Sequence, residues 1–322
     1  MRWILQIAKV ASILTVTVVL TPVLLACGSG ASSGGDGASP SDAPEGVIVA
    51  GVNVTVDPTL RDMLPEDVAL EGKIRVASNM PYAPWEMYEE IGGTQATGID
   101  YDLARALTAK LGVAMSFDQT VFDSIIPALL SGKEDIVMAG MWDGRARQKE
   151  LDFIDYATDG YGLVVMKGNP AGISTVDDLS GRAVAAQSGT SQIDELQRLN
   201  EQLKGAGRPT VQILQLPQDG DTLLAVKSGK ADAQLDGLAV AAYNVKTFDS
   251  GNTFELVDDA SIAATFGEGI VGIGVPKSAP ELRDALQAAL QALMDDGTYA
   301  AILAKYGAGT ISLDSAEINQ GE

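Results

Sequence analysis

From about residue 70 onward the chain alternates short apolar runs with longer segments of helical periodicity, and this alternation restricts the fold more than anything else in it. Ile74-Arg75-Val76-Ala77 reads as a strand, and residues 135–139 as the next. Between them Leu103, Leu107 and Leu111 recur four apart on one helical face, with Asp100 as the expected N-cap. Residues 122–130 read as a second helix, stopped by Gly132. Later strands are expected near 162–166, 183–186 and 211–216, and helices over 192–204, 222–226, 280–294 and 298–306. Pro280 suits a first helical position, where its missing N–H costs nothing. Strand–helix alternation of this kind predicts an α/β fold with mostly parallel sheets.

One internal echo supports two units built on one plan. Ser131-Gly132-Lys133-Glu134-Asp135 ends a helix and opens a strand, and Ser228-Gly229-Lys230-Ala231-Asp232 does the same about a hundred residues later. The glycine suits a left-handed helix end, and the lysine favours the negative pole of the helix. Junctions of this type are also common by chance. In open α/β sheets, ligands bind at the carboxyl ends of the strands.

The N-terminus has a different character. A short basic start (Arg2, Lys9) leads into an apolar run over 10–26, which ends in Leu24-Leu25-Ala26-Cys27. This is the layout of a secretory signal peptide, residues 1–26, closing on a lipoprotein cleavage site. Cys27 is then the first residue of the mature chain and carries lipid such as palmitate. The Gly/Ser-rich stretch that follows cannot bury a core, and it reads as a flexible linker within a segment, 27–66, that includes an N-terminal extension. Export and a membrane tether follow as expectations, with the lipid as the only membrane contact.

Charge and residue usage narrow the function. The chain has 22 basic and 43 acidic residues, and removing residues 1–26 takes away two positive charges and no negative ones. Such a chain is repelled by phosphates and by anionic headgroups, which argues against nucleic acid as a partner. The sequence contains no histidine, and its single cysteine is Cys27. Ser-His-Asp and Cys-His catalysis and the usual His/Cys zinc sites are therefore excluded. Binding or carboxylate-driven chemistry remains, with no cofactor, no metal and no catalytic residue expected.

The ordered motifs resemble the family 3 extracellular solute-binding proteins of amino-acid ABC importers over roughly 70–307. They are Tyr82-Ala83-Pro84-Trp85-Glu86, Gly98-Ile99-Asp100-Tyr101-Asp102, Ile126-Pro127-Ala128-Leu129, Ala139-Gly140-Met141 with Arg147, Gln187-Ser188-Gly189-Thr190-Ser191-Gln192, Asp232 to Asp236, and Asp296-Gly297-Thr298-Tyr299. The resemblance implies a two-lobed, type II periplasmic-binding-protein-like clamshell: two α/β lobes joined by a two-strand hinge. Lobe 1 would span 68–160 plus 269–312, lobe 2 would span 163–264, and 313–322 would be a tail. It further implies a monomer outside the cytoplasmic membrane that binds a small polar solute, an amino acid, and delivers it to ABC permease subunits.

Residue by residue, the resemblance assigns Arg147 to the ligand α-carboxylate, where a planar guanidinium makes two charge-assisted bonds. Asp236 would receive the α-ammonium, although an aspartate before Gly237-Leu238-Ala239 is also a natural helix cap. Gly189, Thr190 and Ser191 sit at a helix start suited to holding an anion. Tyr82 and Phe122 would sandwich the ligand side chain, with core packing as their alternative use. Trp142 and Gly144 stand where hydroxyl residues are usual, after Gly140. Trp142 therefore offers a ring that could stack on a planar or cationic group. Asn79 stands where relatives that bind basic ligands can carry an acid. The same fold also hosts dehydratases, for which Glu86 or Asp143 would be the candidate general acids. A ligand-sensing domain for a separate receptor is the third reading.

Overall fold

The computed structural model describes residues 46–90 and 92–322. Cys27, the leader and the Gly/Ser linker lie outside the described residues.

The described chain opens with a hairpin, β1 (Val47–Val49) and β2 (Val52–Val54), and two short helices, α1 (Pro58–Arg61) and α2 (Glu66–Glu71). Then come β3 (Lys73–Ser78), the ribbon of β4 (Met87–Tyr88) and β5 (Ala96–Thr97), α3 (Ile99–Leu111), β6 (Ala114–Gln119), α4 (Ile125–Leu130), β7 (Ile136–Val137) and β8 (Trp142–Asp143). The long strand β9 (Leu151–Met166) leads to β10 (Ala183–Gln187), α5 (Ser191–Gly205), β11 (Gln212–Leu216), α6 (Asp219–Lys227), β12 (Ala233–Gly237), α7 (Leu238–Thr247), β13 (Phe254–Leu256) and α8 (Ala260–Phe266). β14 (Glu268–Pro276) returns, followed by α9 (Pro280–Asp295) and α10 (Thr298–Lys305).

The main sheet runs β11-β10-β12-β9-β14-β7-β3-β6, with β13 beside β9 and β8 beside β14. At one end β3 is parallel to β6 and β7; at the other β10 is parallel to β11 and β12. The two parallel sets are joined through the antiparallel pair β9 and β14. β9 pairs with β14 from Leu151 to Gly160, then passes to β12 from Tyr161 to Val164. Its 16 residues extend roughly 50 Å at about 3.3 Å each, enough to traverse both lobes. The molecule is a two-lobed α/β clamshell of type II with these strands as its crossing. Phe153, Ile154, Tyr156 and Leu163 are fully buried, as a strand covered on both faces requires.

The repeated junction is duplicated in three dimensions. Gly132 and Gly229 both have φ of +73°, the left-handed region that glycine enters freely. Lys133 N–H donates to the Ala128 carbonyl at 3.0 Å, and Lys230 N–H to that of Ala225 at 2.9 Å. Each following aspartate staples the next parallel strand: Asp135 accepts from Arg75 N–H at 2.7 Å, and Asp232 from Ala183 N–H at 2.9 Å.

Asp100 is not the N-cap of α3. The cap is Gly98, with φ of +127°, and a Cβ there would fall 2.3 Å from the Trp85 carbonyl oxygen, so the close approach admits only glycine. Asp100 instead turns inward and accepts from Gly140 N–H at 2.7 Å and from the Tyr156 hydroxyl. The strand expected over 135–139 is laddered only at Ile136–Val137, before the left-handed turn at Gly140.

Residues 46–66 are folded onto α3. Val49 and Val54 are buried, Asp57 N–H donates to the Lys110 carbonyl, and Arg61 reaches the Gly112 carbonyl. The last residues lie as a strap along β9. Asp155 N–H donates to the Glu317 carbonyl, Phe153 N–H to Asn319 Oδ1, and Gln320 N–H to the Asp155 carboxylate. Asp152 binds Lys277, Arg283 and Asn319, and these bonds outweigh burial to hold its carboxyl down at about 2.

Candidate functional site

The carboxyl ends of the two parallel strand sets face one another. Asn79 and Tyr82 follow β3, Phe122 follows β6, and Gly140 and Trp142 follow β7; opposite them, Gln187 to Ser191 leave β10 and Asp236 ends β12. This is the crevice geometry of open α/β sheets, doubled face to face. Tyr82, Phe122, Gly140, Trp142, Arg147, Gln187, Thr190, Ser191 and Gln192 surround a cavity of only about 10 Å³.

Three side chains bind across the interface. The Tyr82 hydroxyl donates to Asp236 Oδ1 at 2.8 Å, Gln187 Nε2 to Asn79 Oδ1 at 2.8 Å, and Arg147 Nη2 to the Gly189 carbonyl at 3.0 Å. The cleft is therefore closed in this structure. Gly189 is what permits the approach. Its φ is +80°, and a Cβ there would lie 3.0 Å from both Cα and Cβ of Asp123 on the other side.

Arg147 also donates to the Trp142 carbonyl at 2.6 Å, and its guanidinium lies 5.7 Å from the Phe122 ring centroid. Burial pushes its pKa below the ordinary value, against the field of Asp194, although arginine keeps its charge. Nearby, α5 begins at Ser191 with no side chain capping its first turn. The Thr190 hydroxyl is turned away, donating to the Gln187 carbonyl at 2.7 Å. An uncapped helix start beside a guanidinium forms a site for a carboxylate.

The acidic side is deeper. Asp236 is not the cap of α7; Gly237 is. Its carboxylate accepts from Tyr82, from Gly237 N–H at 2.8 Å and from Gln234 Nε2 at 3.2 Å. Gln234 also donates to Asp219 Oδ1 and Thr222 Oγ1. Burial and then the neighbouring Asp219 push the Asp236 carboxyl well above the carboxylate range, and burial with Asp236 raises the Tyr82 phenol likewise.

Trp142 lies with its ring against the crossing strands. A Cβ on Gly269 would fall 2.0 Å from its six-membered ring, and its centroid is 4.8 Å from that of Tyr161, which in turn packs on Phe266 at 5.4 Å. Trp142, Arg147 and Ser191 also border a larger open pocket of about 680 Å³, between α8, the start of β14 and the C-terminal strap.

Gln187, Gln192 and Gln234 lie within the quoted motifs but were given no site role by sequence, and Asp219 was not singled out. The alternation Gln234-Leu235-Asp236 in a buried strand is a signal that was legible, because two polar residues on one covered face need partners. Glu86 is fully buried with both oxygens unpartnered, facing Asp100; burial and then Asp100 push its carboxyl well up. Asp143 accepts from Gln148 and from Gly321 N–H of the strap. Neither acid borders the small cavity. Among the described residues no three His, Cys, Asp or Glu side chains converge in a way that could hold a metal ion.

Comparisons with known proteins agree with this geometry. The sequence profile of the bacterial extracellular solute-binding proteins, family 3, matches residues 74–309. The arginine-binding protein ArgT of Corynebacterium glutamicum is 29% identical over 264 residues, which cover 82% of this chain and 83% of that protein. An ancestral arginine-binding protein bound to arginine is 34% identical, with a TM-score of 0.63 over 73% of this chain and 98% of its own. The ancestral amino acid-binding protein AncCDT-1, described as a precursor of cyclohexadienyl dehydratase, is 32% identical, with a TM-score of 0.62 over 77% of this chain and 99% of its own. A profile match spanning most of the sequence, on a clamshell whose facing strand ends carry the motifs, means that the chain belongs to the bacterial extracellular solute-binding proteins, family 3.

Proposed function

We propose that this protein is the extracytoplasmic receptor of an amino-acid ABC importer, tethered by lipid on Cys27. It captures an amino acid between its lobes and hands it to permease subunits without performing chemistry on it. The lobes comprise 68–160 with 269–312, and 163–264. The observation that carries the reading is one closed interface bridged by two separate contacts, Arg147 to the Gly189 carbonyl and Tyr82 to Asp236; Arg147 and Tyr82 line the small cavity, and Asp236 is reached through Tyr82. A free amino acid presents one carboxylate and one ammonium. Arg147 and the open start of α5 supply donors for the first, and Asp236 is the acceptor for the second. Tyr82, Phe122 and Trp142 flank the side chain. The arginine-binding relatives favour a ligand with a cationic or polar end.

The dehydratase reading finds less support, because Glu86 is fully buried away from both pockets and Asp143 is tied to Gln148 and to Gly321 N–H. The test is thermal stabilisation of the protein by each standard L-amino acid, followed by calorimetry on those that bind. A ligand of the native state raises the melting point by mass action, and micromolar affinity corresponds to about −8 kcal/mol. Binding is expected to be lost in Arg147→Ala and Asp236→Ala. Silence across the amino acids, or binding unaffected by both substitutions, would sink the proposal.

A further inference from the structure

We propose that Asp159, on the crossing strand β9, is a second acceptor for the ligand ammonium beside Asp236. This deepens the amino-acid reading above and rests on it.

Asp159 sits where β9 leaves β14 for β12, opposite Gly269 and two residues before Tyr161, the partner of Gly237. Its Oδ1 is occupied: it accepts from Gly160 N–H at 2.9 Å and from Ala239 N–H at 3.1 Å, doing for α7 the capping that Gly237 cannot. Its Oδ2 is sealed from solvent and has no partner. The position of that oxygen is informative. A Cβ built on Gly237 would fall 2.6 Å from Asp159 Oδ2 and 3.4 Å from the Tyr82 hydroxyl. The carboxylate thus occupies space that a side chain at 237 would take, at the end of β12 and alongside the tyrosine that binds Asp236. Asp236, Asp219 and Asp159 all act on the Tyr82 phenol.

Acceptor capacity explains why a second acid is needed. A carboxylate offers about four lone-pair sites, and an ammonium brings three donors. Asp236 already accepts from Tyr82 and Gly237, and Gln234 Nε2, whose two hydrogens serve Asp219 and Thr222 at shorter range, lies 3.2 Å from its other oxygen. It has room for fewer bonds than the three an ammonium brings. Asp159 Oδ2 is uncommitted and supplies the rest. Among the described residues none of Asp159, Asp219 and Asp236 forms an ion pair. Buried carboxylates without a cation are held protonated or wait for one to arrive, and burial pushes the Asp159 carboxyl up to about 7. An incoming ammonium meets that requirement.

The experiment is calorimetry on the purified full chain, first with the standard L-amino acids and then with the des-amino acid of each one that binds. Asp159→Asn keeps an oxygen for Gly160 and Ala239 but removes the charge. It is expected to weaken amino-acid binding roughly tenfold or more, the usual worth of a charge-assisted hydrogen bond. The weak binding of the des-amino acid should stay where it is, and the unliganded melting point at neutral pH should not fall, since the variant removes a buried carboxyl that burial pushes up. Asp159→Ser, which also leaves a capping oxygen, should repeat the pattern if the asparagine variant folds poorly. Wild-type affinity in Asp159→Asn alongside lost affinity in Asp236→Asn overturns the inference and leaves the transport reading intact. Equal weakening of amino acid and des-amino acid overturns it too, since Asp159 would then act on shape alone. Failure of the unmodified protein to bind any amino acid removes the underlying reading itself.

Discussion

Replacing Gly189 by alanine separates two costs that the structure assigns to different states of the protein. The first is local: φ of +80° is left-handed backbone, and an L-residue there costs about 1–2 kcal/mol in either lobe arrangement. It appears as lost stability of the unliganded protein. The second exists only when the lobes meet. The new Cβ would sit 3.0 Å from Cα and Cβ of Asp123, against the roughly 3.5–4.0 Å at which carbon atoms attract. Relieving that overlap by a small lobe displacement costs on the order of 1–1.5 kcal/mol, at the low end of overpacking penalties. Because it is confined to the closed form, it raises Kd about five- to tenfold. Calorimetry reads the affinity, and X-ray scattering reads the ligand-induced drop in radius of gyration, which should be smaller in Gly189→Ala. Adding Asp123→Gly removes one of the two clashing atoms. It should restore part of the affinity and none of the stability, a coupling visible in a double-mutant cycle. The reasoning is refuted if Gly189→Ala loses stability but binds and closes as the unmodified protein does.

Two further outcomes follow from buried groups. Trp142→Ser, which places a hydroxyl residue after Gly140, should destabilise the protein by about 3 kcal/mol or more in urea unfolding, because the ring fills the space between Gly269 and Tyr161; unchanged stability would mean the ring does not brace the crossing strands. Burial raises the Asp155 carboxyl to about 7 from 3.8, against the bond from Gln320 N–H. Below about pH 4 folded and unfolded chains are both protonated there. Between that point and pH 7 only the unfolded chain ionises, so stability falls as pH rises and levels off above 7. Asp155→Asn should therefore gain on the unmodified protein across that window, by on the order of 2–4 kcal/mol at pH 8; a gain independent of pH would show that the carboxyl is not the titrating group.

Much of the layout was legible because it rests on local chemistry. The helix-Gly-Lys-strand junctions need only glycine's left-handed φ and the strand staple of the next aspartate, and both lie within a few residues of each other. Arg147, Tyr82, Phe122, Gly140, Trp142, Thr190 and Ser191 share one cavity because each follows the end of a strand, a position that sequence can mark. What escaped depends on meetings between distant backbones. Nothing near Asp100 says that Gly98 must press on Trp85 and turn the aspartate inward. Nothing near Trp142 says that its ring will lie on Gly269, nor does anything around Asp159 announce that Gly237 leaves it room. The folded state of residues 46–66 and the strap over β9 likewise depend on surfaces, those of α3 and β9, that exist only once the sheet has formed.

The two handles of the ligand do not contribute equally to closure. In the closed form Arg147 gives two of its five N–H donors to the Trp142 and Gly189 carbonyls, and Gln187 donates to Asn79. A ligand carboxylate arriving there exchanges existing hydrogen bonds for better ones, a difference of about 1–2 kcal/mol. On the acidic side Asp236 accepts from Tyr82 and Gly237, whereas Asp159 Oδ2 has no partner. Asp236 and Asp159 are buried, and among the described residues neither forms an ion pair. On the proposed site these buried carboxyls are held protonated or uncompensated until a cation arrives, and only the difference in affinity between open and closed forms can move the lobes. If Asp236 and Asp159 take the ammonium as proposed, it is the stronger switch: it acts on a buried acceptor that has no partner of its own, whereas the carboxylate adds to contacts that the protein already makes for itself.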